Sequence, residues 1–156
     1  MTIAETFALV SFSIFSYADL RYRLVPGIEV FLFGTILLTF PATPIQTGIV
    51  LLACLWSIFR NLSGWFAIPL LFYPPVWPVL FTGYGYRKGI IGRADLLAIS
   101  GLACLFPLPA VLLSLLGLEL WRRLWIRRQQ GNIPALPGLL LGLIVYLLLR
   151  LFLPSP

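Results

Sequence analysis

Long apolar stretches alternate with short polar breaks along the whole 156-residue chain. The stretches cover residues 2–18, 28–40, 47–59, 65–81, 96–106, 110–120 and 138–153. The first has Glu5 near its start and Asp19, Arg21 and Arg23 just past its end. It lacks the basic n-region and small-residue cleavage site of a secretory leader, so it reads as a retained transmembrane helix. Several of the others are eleven to thirteen residues long. At 1.5 Å rise per residue they fall short of a hydrocarbon core about 30 Å thick unless flanking residues extend them. No period of 20 to 50 residues repeats, and no Gly/Ser-rich or charged linker divides the chain. The expectation is an all-α polytopic membrane protein with about six transmembrane helices and one re-entrant or broken segment, built as a single domain over residues 1–156.

Composition sharpens that picture. Hydrophobic residues make up 60% of the chain and charged residues 10%, with mean hydropathy +1.00, against about 45–50% and about 25% in soluble domains. Neither an ordinary soluble globule nor a disordered chain has this balance. The net charge of +6, from 11 Lys and Arg against 5 Asp and Glu, reads as membrane topology before nucleic-acid binding. No nucleic-acid partner is expected.

The basic residues cluster at Arg21 and Arg23, at Arg87, Lys88 and Arg93, and at Arg122, Arg123, Arg127 and Arg128. Placing all three clusters in the cytoplasm satisfies the positive-inside rule and puts the N-terminus outside a multi-pass protein of the cell membrane. Arg150, near the outer end of the last stretch, is the exception, and it could snorkel. Asp19 and Asp95 then share a face only if an even number of crossings separates them, and three apolar stretches lie between. One must fail to span. Residues 65–81 contain Pro69, Pro74, Pro75 and Pro78, each of which removes a backbone donor, so this stretch is the best candidate for the broken segment, the alternative being that one of the two short stretches before it is re-entrant.

The residue inventory restricts chemistry further. There is no His, which excludes imidazole-built zinc sites, Ser-His and Cys-His nucleophile pairs and a His general base. Cys54 and Cys104 lie inside apolar stretches without CxxC spacing and read as small packing residues. No metal and no cofactor is expected. Asp19 and Asp95 are the only aspartates, each where an apolar stretch meets a basic break. Singly, Asp95 reads as an N-cap for the helix that follows and Asp19 as a solvated loop residue. Together they read as two carboxylates that share a proton and activate a water against an amide. Helix polarity would split their roles, since Asp95 opens a helix and Asp19 ends one.

The local sequences around both aspartates resemble the type IV prepilin peptidases and the related archaeal preflagellin peptidases. Ser16-Tyr17-Ala18-Asp19-Leu20-Arg21-Tyr22-Arg23-Leu24-Val25-Pro26 is similar to that family's first motif. Gly92-Arg93-Ala94-Asp95-Leu96-Leu97-Ala98, leading to Phe106-Pro107, is similar to the second. Ile133-Pro134-Ala135-Leu136-Pro137 resembles the family's final segment. Arg93 stands where the family has glycine, Leu97 where it usually has Lys, and Gly27 where Asn or Asp often follows the Pro. The resemblance implies a membrane aspartyl endopeptidase that removes the short basic leader of pilin-like or archaellin-like precursors at the cytoplasmic face. It implies Asp19 and Asp95 as the catalytic pair, with Arg21, Arg23, Pro26, Gly92, Arg93 and Ala94 binding substrate or supporting the site.

Rival readings use the same residues. Asp19 and Asp95 would also serve a small membrane transporter or channel, by binding a cation or relaying protons. Lys88, the only Lys, lacks a specified Ser partner for a Ser-Lys peptidase. Gly83-Tyr84-Gly85 with Gly89 reads as a flexible loop, because no GxxxxGK[ST] pattern accompanies it. Gly138 and Gly142 form a GxxxG, a packing device and a sign of a homo-oligomer. The aromatic and Arg residues of 121–128 suit an interfacial helix on anionic lipid.

Overall fold

In the computed structural model, residues 3–22, 27, 43–59, 61–128 and 133–152 are described. Their regular structure is entirely helical, which agrees with the all-α expectation. They fall into two compact units, one of residues 1–26 and 109–156, the other of residues 27–108.

The first unit contains α1 (Ile3–Tyr22), α5 (Leu108–Arg128) and α6 (Leu136–Phe152). Ala8, Phe12 and Ser16 are buried at four-residue spacing along α1, the stripe that a helix turns towards a neighbour. α1 packs on α6, and two polar contacts fix their register. Leu136 N–H donates to Asp19 Oδ2 at 3.1 Å, and Arg150 Nη1 pairs with Glu5 Oε1 at 2.6 Å. Residues 5 and 19 on α1, and 150 and 136 on α6, are each fourteen apart, or about 21 Å at 1.5 Å per residue. The helices therefore run antiparallel, with the two contacts at opposite ends. Arg150 needs no snorkelling, because it pairs with Glu5.

α5 and α6 meet through glycine. A Cβ on Gly117 would lie 2.5 Å from Gly138 O and 2.9 Å from Gly142 Cα, and one on Gly138 would lie 2.7 Å from Leu118 Cα. The GxxxG is thus used within the chain, where the missing side chains let two backbones approach. On the outer face of α5, Glu119 accepts two 2.7 Å bonds from Arg122 and one of 2.8 Å from Arg123. These bonds pull its carboxyl down to about 2.

The second unit contains α2 (Pro44–Ile58), three 3-10 turns at Gly64–Ala67, Pro69–Phe72 and Pro74–Val76, α3 (Trp77–Arg87) and α4 (Arg93–Leu105). Prolines at the first positions of the second and third turns supply the fixed φ that such turns use but no amide donor. Thr43 caps α2 by accepting from Gln46 N–H at 3.2 Å. Gln46 Nε2 then donates to Ala103 O at 2.6 Å, joining the start of α2 to the end of α4. Gly83 sits so close to Ser57 that a Cβ would collide with its hydroxyl. Gly83 and Gly85 are therefore buried helix positions in α3, which corrects the reading of this stretch as a loop. Two residues past the end of α3, Gly89 has φ +74°, which lets Gly89 N–H reach Tyr86 O and Ile90 N–H reach Gly85 O, the Schellman arrangement. Arg87 donates to Leu62 O at 2.7 Å and lies 4.6 Å from the Trp56 ring centroid.

The polytopic expectation needs correction. No helix among the described residues is long and apolar enough to cross a membrane, so the about six crossings, the external N-terminus and the multi-pass placement are not supported. The reason is length and charge together. α6 has 17 residues and α2 has 15, about 25 Å and 22 Å against a hydrocarbon core of about 30 Å. The longer helices carry Glu5, Asp19 and Arg21 in α1 and Glu119, Arg122 and Arg123 in α5. The expected break at 122–128 is helical and continues α5. The stretch at 28–40 lies outside the described residues.

Gly142→Ala should lower the unfolding free energy by about 1–3 kcal/mol in a urea titration, because its Cβ has no room between α5 and α6. Gly48→Ala, in α2 with nothing within 4 Å of a new Cβ, should raise it by up to about 1 kcal/mol. Equal effects at the two positions would contradict the close helix crossing.

Candidate functional site

Asp19 lies one turn before the end of α1 and is half-buried. Its carboxylate meets the first turn of α6, and every donor there has a place. Leu136 N–H goes to Asp19, Pro137 has none, and Gly138 N–H goes to Ala135 O at 3.1 Å. Leu139 N–H, also to Ala135 O, begins the helical ladder. Asp19 thus caps a helix 117 positions away in sequence. A carboxylate at that end also complements the positive pole of the helix dipole. The solvated-loop reading of Asp19 does not describe this arrangement.

Asp95 is the third residue of α4 and half-buried. It is not the N-cap. That position belongs to Gly92, with extended φ −74° and ψ 157° and no side-chain cap bond. A Cβ on Gly92 would lie 3.3 Å from Asp95 Oδ2, so the carboxylate folds back over the cap, as an acidic residue at the third helical position does in a capping box. Arg93 is exposed and Ala94 half-buried in the same turn.

The other expected site residues divide. Arg21 Nη1 donates to the Tyr17 hydroxyl at 2.6 Å, and its guanidinium lies 5.6 Å from the Tyr22 ring centroid. Arg21 is therefore held along the surface of α1. Arg23 and Pro26 lie outside the described residues. Asp19 is brought to Leu136 at the start of α6, and Asp95 to Gly92 at the start of its own helix. The two aspartates belong to different units.

Two buried thiols lie in the second unit. Cys54, on α2, and Cys104, on α4, are free thiols. Burial raises the pKa of both; that of Cys104 reaches about 11, with the neighbouring Cys54 adding to the rise and a Thr47 hydrogen bond opposing it. Thiols of this kind are poor nucleophiles at neutral pH. Among the described residues no group of three or more His, Cys, Asp or Glu is placed to hold a metal ion. The sequence gives no warning of the contacts made by Gln46 and Arg87, since their partners are backbone carbonyls and an indole face remote in the chain.

Against known proteins, the chain matches no family model, no curated protein and no solved structure.

Asp19→Ala should cost about 0.5–2 kcal/mol of stability by leaving Leu136 N–H without its acceptor, whereas Asp19→Asn, which keeps an oxygen there, should cost much less. Urea titrations of the three proteins measure this, and an Asn variant as unstable as the Ala variant would contradict the capping geometry. Separately, iodoacetamide at pH 8 should label Cys54 and Cys104 slowly in the folded protein and quickly in urea. Fast native labelling would place the thiols elsewhere.

Proposed function

We propose that the protein is an aspartyl endopeptidase acting on precursors with a short basic leader, of the pilin-like or archaellin-like kind, with Asp19 and Asp95 as its catalytic carboxylates. The observation that carries the reading is the hydrogen bond from Leu136 N–H to Asp19. It joins the first resembling motif to the last, across 117 positions. Further support comes from Asp95, whose carboxylate lies over the cap of its own helix in the second motif. Both carboxylates are half-buried and oriented by helix starts. A peptidase carboxylate needs that fixed aim.

In this reading one carboxylate, ionised, takes a proton from the water that attacks the scissile carbonyl. The other, protonated, donates to the carbonyl oxygen; as the C–N bond breaks, the first passes the proton it took from water to the leaving amine and the second recovers its own from the gem-diol hydroxyl. Neither step calls for histidine. Arg93, exposed in the same turn as Asp95, is assigned to site support. Arg21, turned onto Tyr17 and Tyr22, holds the exit of α1 in place and is assigned to site support.

The chain co-expressed with a basic-leader precursor should produce a shortened product, and Asp19→Asn or Asp95→Asn should each abolish it. The Asn variants should keep the helical circular-dichroism signal, so that lost cleavage reports chemistry. Cleavage retained by either folded variant would sink the assignment.

A further inference from the structure

The second unit leaves an aromatic surface that its own packing does not use. α3 buries Val79, Leu80 and Gly83 and exposes Trp77, Phe81 and Tyr84, which stand at i, i+4 and i+7 on one helix face. Lys88 follows at i+11, with its ammonium 5.6 Å from the Tyr84 ring centroid. Trp77 Nε1 donates to Leu71 O at 2.8 Å, which ties the second 3-10 turn to the start of α3. In those turns Phe72 is 86% exposed and Trp65 79% exposed. Aromatic rings grouped in this way mark an interaction surface.

Charge indicates what covers it. Residues 30–94 contain no Asp or Glu, while Arg60, Arg87, Lys88 and Arg93 lie among them. A second copy laid face to face would set Lys88 near its own counterpart, and the nearest acid in sequence, Asp95, is turned back over the cap at Gly92. An anionic lipid surface offers phosphates for the cations and an acyl boundary for the rings. Trp and Tyr prefer that depth because each has an apolar body and a polar tip. We propose that the Trp65–Trp77–Phe81–Tyr84 surface lies on anionic lipid, rings at the headgroup boundary and Lys88 and Arg93 at the phosphates, without crossing the bilayer. The proposal is independent of the peptidase reading.

The test is flotation of the full chain with phosphatidylcholine vesicles, with and without phosphatidylglycerol. Binding should be strong only with phosphatidylglycerol and should fall in high salt. A triple variant Trp65→Ser, Phe72→Ser, Phe81→Ser should bind about tenfold less or weaker, and Lys88→Glu should weaken binding only to the anionic vesicles. Independently of those variants, tryptophan fluorescence of the unmodified chain should be quenched more by lipids brominated near the headgroup than by lipids brominated at the chain ends. That quenching should diminish in Trp65→Phe, Trp77→Phe. The proposal is overturned if the triple variant floats like the parent, if chain-end bromines quench more strongly, or if the aromatic substitutions instead dissociate an oligomer seen by light scattering.

Discussion

The antiparallel pairing of α1 and α6 is the constraint from which the arrangement of the first unit follows. Contacts at its two ends are spaced equally along both helices, so a slip of either helix by one turn would break both. Glu5 with Arg150 is partly exposed, and a surface pair of that kind contributes only about 0.2–1 kcal/mol. The Asp19 contact is more consequential, because it satisfies a helix-end donor that would otherwise be left unpaired in a half-buried setting. With α1 placed, Gly138 and Gly142 on α6 receive α5 at backbone distance. One helix is thereby held by hydrogen bonding on one side and by shape on another.

The same contact bears on chemistry. Helix polarity, read from each aspartate's own helix, would separate Asp95 at a helix start from Asp19 at a helix end. In the folded chain both carboxylates address helix starts, Asp19 that of α6 and Asp95 that of α4. In the proposed peptidase, dipole sign therefore does not distinguish proton donor from proton acceptor. Arg21 is held by two tyrosines of its own helix.

Much of the helix inventory was legible in the hydropathy pattern. The stretches at 2–18, 47–59, 96–106 and 138–153 correspond to α1, α2, α4 and α6, with ends shifted by a few residues where Thr43 or Gly92 supplies the cap. Hydropathy also marked 65–81 as exceptional through its prolines, which divide most of it into short 3-10 turns. It did not show that the helices among the described residues fall short of a crossing. An average over a window does not register that glycines allow helices to pack on one another, or that charges interrupt the longer ones. Arg150 looked like a topological exception because its partner, Glu5, is 145 positions away. The site was legible only as local strings. Asp19 and Asp95 stood out by rarity and motif, but the partner of Asp19 is a backbone amide, which leaves no mark in the sequence. The cap at Gly92 was hidden for the opposite reason: Asp95 looked like the cap, yet the helix begins two residues before it.

Amide hydrogen exchange at Leu136 tests the central claim, that one carboxylate fixes the start of α6. Protection at Leu136 should be high in the parent chain, largely kept in Asp19→Asn and lost in Asp19→Ala, while amides in the middle of α2 stay unchanged in all three. Equal protection of Leu136 in the parent and in Asp19→Ala would contradict the account.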